Sequence, residues 1–451
     1  MLLFFVETTD FTDKILFLQI IMRKWKIILI CLFLINNVKI FCQNDSICSN
    51  LLKNKQFFQL DNFLKTNKKT LSSKTFYFNQ MFVQQAFGNY KQAEHFAKKL
   101  KKIYNKTTSP DSIRQSENLS LLSFYALDAM QKFNYSQVAQ NYEEIIKNCF
   151  EVLDSAQIEN YKNSYALFST LKNTPAQKIS RSHQNIELQS FRSKFNHLIV
   201  PVSKGNVKSE FVFDTGASFA MISDSIAQLM NIKILSADVN VLTATNLQIQ
   251  PQLAVADSFY VGDILFENLV FLVVPQSDLT FPQADYEIYG AIGFPQIMQM
   301  GEIRLQRTGK IIFPKKQNKR NEKNIFLDGY NPVIQVFTEN DTLLFRLDTG
   351  AGTSELSYKY FEKYKGTFLQ NAEIKKVKRG GAGGIQESEE YSLENFNYKI
   401  GETKGLLPKI TVQTNDYKFS QLFDGNLGQD ILCQYNEIVL NFKDLYLKLL
   451  K

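Results

Sequence analysis

Phe211-Val212-Phe213-Asp214-Thr215-Gly216-Ala217-Ser218 and Phe345-Arg346-Leu347-Asp348-Thr349-Gly350-Ala351 set the same tetrapeptide, Asp-Thr-Gly-Ala, behind two strand-like apolar runs of one 451-residue chain. At ordinary residue usage a single Asp-Thr-Gly arises by chance in roughly one chain in ten of this length, and two copies each followed by Ala are rarer by several orders of magnitude. The surroundings repeat as well. Counted from each aspartate, the glycine of Ile292-Gly293 lies 79 residues on and that of Leu427-Gly428 lies 80 residues on. A Glu-Ile pair then begins 9 residues beyond each glycine, in Glu302-Ile303-Arg304-Leu305 and Glu437-Ile438-Val439-Leu440. Similarity at a fixed spacing marks duplicated structural units. Two units carrying one motif each can meet at a pseudo-twofold axis.

The chemistry that suits such a pair follows from electrostatics. Two carboxylates brought to about 3 Å cannot both ionise, so the pair holds one proton over a window of pH. The ionised member can then act as general base on a water while the protonated one polarises a scissile carbonyl. The apparent pKa values belong to the pair, so the residues by themselves assign neither role to a particular aspartate. No metal, cofactor or covalent intermediate is required.

On these residues the chain resembles the pepsin/retropepsin-like aspartic peptidases, in particular bacterial secreted proteins with two retropepsin-like lobes in one polypeptide. The resemblance covers about residues 190 to 451. It implies that Asp214 and Asp348 form a catalytic dyad acting on a peptide or unfolded protein substrate. It further implies that Thr215 and Thr349 lock the two motif loops together, and that Gly216 and Gly350 permit the tight backbone there. Ser218 offers a hydroxyl to the outer oxygen of its aspartate, whereas the second copy has Gly352 at that place and Thr353 one step on. The copies also differ at Tyr289-Gly290-Ala291-Ile292-Gly293-Phe294-Pro295 against Asp424-Gly425-Asn426-Leu427-Gly428-Gln429-Asp430, so an asymmetric cleft is expected. The alternative reading is a noncatalytic peptide- or protein-binding module on the same fold; intact Asp-Thr-Gly triads favour the enzyme, Gly352 and the large helical block favour binding.

Arg379-Gly380-Gly381-Ala382-Gly383-Gly384-Ile385 lies between two strand-like segments of the second copy. Glycine at this density reads either as the mobile tip of a flap over the substrate, with Gly380, Gly381, Gly383 and Gly384 as the flap candidates, or as a glycine-rich surface turn. The matching stretch of the first copy, Thr243-Ala244-Thr245-Asn246-Leu247, has no such cluster. The run lacks the Lys-Ser/Thr that would complete a phosphate-binding loop.

Upstream, residues 46–175 change character: rich in Lys, Gln, Asn, Ala and aromatics, nearly free of Gly and Pro, and apolar at helical spacing in Ala93, Phe96, Ala97, Leu100, Ile103 and Tyr104. Gly88-Asn89-Tyr90-Lys91-Gln92-Ala93 recurs in kind as Phe133-Asn134-Tyr135-Ser136-Gln137-Val138, resembling the turn between paired helices of tetratricopeptide-type repeats; a plain helical bundle is the competing reading. Either way the block reads as a docking or packing module with a protein partner of its own rather than part of the active site.

Arg23-Lys24-Trp25-Lys26 followed by the apolar Ile27 to Ile35 has the layout of a secretory signal, too short to span a bilayer. This makes Met22 the start, residues 1–21 an overlong gene start, residues 22–42 the signal, and the product exported to a periplasm or beyond; lipidation at Cys42 is the minor alternative. Of the five cysteines, Cys48, Cys149 and Cys433 fall in the mature part. A Cys48–Cys149 disulfide and three unpaired cysteines are equally compatible with the sequence. His95, His183 and His197 are the only histidines and form no metal-ligand or Ser-His-Asp pattern.

The net charge of +8 comes from dispersed lysines and the run Lys315-Lys316-Gln317-Asn318-Lys319-Arg320, with no basic face interleaved with aromatics, so no nucleic-acid module is expected. The expected architecture is multidomain α + all-β: a helical domain over 46–175, a first β-barrel lobe over 190–315, a basic linker over 316–324 and a second lobe over 325–451, the two lobes being retropepsin-like and related by a pseudo-twofold.

Overall fold

The structure is a computed structural model that describes residues 43–451 apart from residues 183, 237–238, 244–246, 318–321, 372–373 and 417–419. The expected signal sequence with Cys42, the residues before it, part of the basic linker and residues 244–246 of the first-copy loop therefore lie outside the described residues. The chain divides into two compact units, the described residues up to 83 with 95–103, and residues 84–94 with 104–451.

The first unit is helical. Phe57–Thr66 buries Phe57, Leu60 and Leu64 along one face, the spacing of an amphipathic helix. Phe76 and Tyr77 pack on the ring of Phe96, each at 6.0 Å between centroids. Cys48 is a free, fully buried thiol, pushed up to about 11 by burial and by neighbouring Asp45. The helix expected from the apolar spacing after Tyr90 runs Tyr90–Tyr104 and buries Ala93, Ala97 and Leu100 completely.

The second unit begins with the helices Asp111–Gln131, Tyr135–Asn148 and Ser155–Thr170, each packed on the next. Their starts are written in the sequence: Asn134 accepts the Gln137 N–H, and Asp154 with Gln157 closes a reciprocal capping box. Phe133, Tyr135, Val138, Leu167, Phe168 and Leu171 share one apolar core with Val239 and with Leu253 and Val270 of the following β-sheet. These helices thus complete the sheet's core. Cys149 and Cys433 are also free thiols.

Three large sheets and two two-stranded ones carry the rest of the described residues. In the first, Val207–Phe213 runs parallel to Gly290–Ile292, which lies antiparallel to Ala220–Ser223, itself parallel to Ile264–Val274. In the second, Thr342–Leu347 runs parallel to Gly425–Leu427, which lies antiparallel to Glu355–Leu356, itself parallel to Thr403–Gln413. The long hairpins of both sheets turn in two residues, Gly262-Asp263 and Gly401-Glu402, with the glycines at φ +55° and +56°, the left-handed start such loops require. A third sheet of five strands joins the two sequence copies: Glu302–Gln306 pairs antiparallel with Glu437–Asn441, Ile303 opposite Leu440 and Leu305 opposite Ile438. The two Glu-Ile segments that marked the repeat are therefore partners in one ladder. No helix among the described residues is long and apolar enough to cross a membrane.

Candidate active site

Each Asp-Thr-Gly motif leaves the C-terminal end of a central strand, and the backbone there is held by the downstream apolar-Gly pair. The Asp214 N–H donates to the Ile292 carbonyl and the Asp348 N–H to the Leu427 carbonyl, both at 3.0 Å. Phe294 N–H donates to Ala217 O at 2.8 Å and Gln429 N–H to Ala351 O at 2.9 Å. A Cβ on Gly293 or Gly428 would lie within 2.6 Å of the opposing loop backbone at Phe219 or Thr353. The matched spacing has this cause: in each copy the glycine lets two chain segments pass at backbone contact.

The two motif loops face one another. Thr215 Oγ donates to Leu347 O at 2.8 Å, and Thr349 Oγ donates to Phe213 O at 2.6 Å. Each hydroxyl also accepts the other threonine's N–H at 3.0 Å. Both threonines are fully buried. Gly216 N–H donates to Asp214 Oδ1 at 2.7 Å and Gly350 N–H to Asp348 Oδ1 at 3.0 Å. A Cβ on Gly216 would fall 2.5 Å from the Asp348 carboxyl carbon, and one on Gly350 would fall 2.4 Å from that of Asp214. Only glycine leaves room for the carboxyl groups, which are in hydrogen-bonding contact with each other. Asp348 is buried and Asp214 keeps partial solvent access. Burial, and then the Asp348 charge, raise the Asp214 carboxyl to about 7, against the Gly216 N–H and Arg346, which favour its ionised form.

The sequence singled out the carboxylates, threonines and glycines of this site, but not the groups around Asp348. Arg346 Nη2 reaches Asp348 Oδ2 at 2.7 Å, and Asn426 Nδ2 donates to the same oxygen at 3.0 Å. A cation two residues before the motif, in an otherwise apolar strand, was the available signal. Gln429, fully buried, donates to Thr349 O at 2.6 Å and accepts from Arg192 at 2.7 Å. His197 Nδ1 lies 2.7 Å from Tyr286 Oη; burial holds this imidazole below its usual range, opposed by the Asp348 charge. Ser218 is half-buried beside its motif.

The glycine-rich run forms the tip of a hairpin, Lys375–Gly381 paired with Gly384–Ile400. Its tip meets residues of the first sequence copy: Gly383 N–H donates to Asp278 O at 3.3 Å, and a Cβ on Gly380 would lie 3.4 Å from the Phe281 ring. Arg379 anchors its base, donating to Glu355 Oε2 at 2.6 Å and to Glu390, whose side chain is almost fully buried. Among the described residues no group of three or more His, Cys, Asp and Glu is arranged to hold a metal ion.

Residues 200–295, from the strand before Asp214 to the helix after Gly293, match the family model described as aspartyl protease. The matched stretch holds the first Asp-Thr-Gly motif and the apolar-Gly pair downstream of it. Among solved structures it is similar to a retropepsin-like aspartic protease from Rickettsia conorii, at 21% identity over 30% of this chain and 91% of that one, with a TM-score of 0.20. No curated protein matches the chain.

Proposed function

We propose that this protein is an aspartic endopeptidase in which Asp214 and Asp348, contributed by two lobes related by a pseudo-twofold, activate water for hydrolysis of peptide bonds. The observation that carries this reading is the reciprocal bonding of Thr215 and Thr349, which holds the two carboxyls in contact with one of them raised towards neutrality. A buried pair that shares one proton can remove a proton from water and deliver one to the carbonyl oxygen without further help. The Gly380–Gly384 tip is read as the flap that covers an extended peptide, because it spans towards Phe281 and Asp278 of the other sequence copy. Gly352, which favoured a binding-only role, has a steric reason: a Cβ there would sit 2.3 Å from the Phe195 carbonyl oxygen. The helices from 111 to 170 are read as a tetratricopeptide-like buttress of the first lobe, and export as the setting in which the enzyme meets unfolded protein.

The test is cleavage of an unfolded protein by purified enzyme from pH 3 to 8, beside Asp214→Asn and Asp348→Asn. Each variant should stay folded and lose on the order of 10^2–10^4-fold in kcat/KM, with a bell-shaped profile in the parent protein. Folded, equally inert parent and variants across a broad peptide library would end the peptidase reading.

A further inference from the structure

The two sequence copies differ at one pair of positions that matters for the carboxyls. Two residues before each aspartate and two residues before each downstream glycine stand cross-strand partners: Val212 opposite Ala291 in the first copy, Arg346 opposite Asn426 in the second. Val212 and Ala291 pack with Ile199 in an apolar cluster. Arg346 and Asn426 instead both donate to Asp348 Oδ2. Arg346 Nε also donates to Asn426 Oδ1 at 3.0 Å. That bond fixes the amide orientation, since an Arg has no acceptor and must face the Asn oxygen, turning the NH2 to the carboxylate. With Gly350 N–H on Oδ1, Asp348 receives three donors, and none of them can take up a proton from it. Asp214 Oδ1 accepts the Gly216 N–H but Asp214 has no cation bonded to it among the described residues, so Asp348 is the better-stabilised anion of the two.

We propose that Arg346 and Asn426 are positioning residues that hold Asp348 as the ionised member of the pair and leave the shared proton on Asp214. This deepens the peptidase reading and rests on it. The upward shift of the Asp214 carboxyl agrees with the assignment. Among the described residues Arg346 and His197 act electrostatically on the pair, and burial favours the neutral form of the latter. In the reaction, Asp348 takes a proton from water as its oxygen bonds to the scissile carbon, while Asp214 gives its proton to the carbonyl oxygen. On collapse of this diol the C–N bond breaks. The leaving nitrogen takes the proton from Asp348, and a diol hydroxyl returns one to Asp214. The missing hydroxyl at Gly352 is compensated: the outer oxygen of Asp348 has a cation and an amide in its place.

The test is kcat/KM against pH for the parent, Arg346→Met, Arg346→Lys and Asn426→Ala, the last copying Ala291. Loss of the cation makes the first ionisation of the pair harder, so the acidic limb should move up by about 1–3 pH units in Arg346→Met. It should move less in Asn426→Ala and return towards the parent in Arg346→Lys. An Arg346→Met profile lowered equally at every pH, with unmoved limbs, would overturn the proposal and leave Arg346 a purely structural role. Carboxyl 13C spectra of Asp-labelled protein near pH 5 read the same assignment without turnover. The pair should give one ionised and one protonated signal, and Asn426→Ala should move the ionised one. Movement of the protonated signal instead would refute the assignment even in a protein that cleaves nothing, so the two failures are distinguishable.

Discussion

Replacing Thr349 by Val keeps the side-chain shape and removes only the hydroxyl that ties the two motif loops. That oxygen donates to Phe213 O and accepts the Thr215 N–H, and the residue is fully buried. Its loss leaves one carbonyl and one amide without these partners, each at about 1–3 kcal/mol when buried, together about 2–6 kcal/mol. Thr349→Ser is the matched control: it keeps both bonds and deletes one methyl, worth about 0.8 kcal/mol. Urea unfolding of parent, Ser and Val proteins at one pH measures the difference, and peptide cleavage measures its consequence. A carboxyl displaced by about 1 Å costs about 10^2-fold in rate, so Thr349→Val should be crippled while Thr349→Ser stays active. Val and Ser variants within 1 kcal/mol of each other and equally active would show that the hydroxyl bonds do not hold the site together, and the reasoning would fail.

Gly350→Ala should abolish cleavage in a protein that still folds, because its Cβ would occupy the space of the Asp214 carboxyl; an active Ala variant would mean the loops are further apart than described. Because Asp214 is raised from 3.8 to about 7 on folding, the folded chain keeps a proton that the unfolded chain releases above about pH 4. Its contribution is full below that pH and is lost as pH rises through 7. Asp214→Asn should therefore be more stable than the parent at pH 8, on the order of a few kcal/mol by urea unfolding, and not at pH 3.5. Arg379→Met strands the buried Glu390 and should destabilise by about 3–5 kcal/mol, with new proteolytic cutting in the hairpin read by mass spectrometry. Phe168→Ala opens the core shared by helix and sheet and should cost about 3–5 kcal/mol in one unfolding transition with the β-sheets; a separate early helical transition would count against a shared core.

Much of the site was legible because its parts are local in sequence or fixed in spacing. Asp-Thr-Gly needs its glycine where a Cβ would strike the opposing carboxyl, and the apolar-Gly pair must sit where the returning strand meets that loop, so both are repeated at matched distance. The helix after Tyr90 was readable from apolar spacing, and the helices at Tyr135 and Ser155 carry their caps. What was not legible depends on register. Arg346 meets Asn426 only because two strands 80 residues apart in sequence pair parallel in one register, and Arg379 meets Glu355 and Glu390 through a hairpin and a crossover. Nor did composition tell that the helices after Tyr104 belong with the β-sheets: Phe168 and Phe219, with ring centroids 6.3 Å apart, come from segments whose sequences share no pattern.

The same divergence between copies extends to how each sheet is covered. After its motif the first copy has the short helices Asp224–Leu229 and Phe294–Gln299, and Leu253 and Val270 of the first sheet, with Val239 beside them, share a core with the upstream helices through Phe133, Tyr135 and Phe168. The second copy carries its own cover, Tyr358–Asn371, whose Phe361 and Phe368 stack on Tyr391 at 5.7 and 5.6 Å. Apolar sheet faces must be covered by something, and the two copies meet that demand by different routes, one borrowed from upstream and one built in. The upstream helices also reach the second copy, where Tyr330 Oη donates to Met130 O at 2.6 Å and Gln131 Nε2 to Gly329 O at 3.2 Å. A helical block bonded to both copies limits how far they can move apart. In the peptidase reading the moving part over the substrate is the glycine-rich hairpin tip, where Gly383 and Gly384 take φ +90° and +122°. Gly383→Ala, strained at that φ, should change KM and kcat together, while leaving the carboxyl signals of Asp214 and Asp348 where they are.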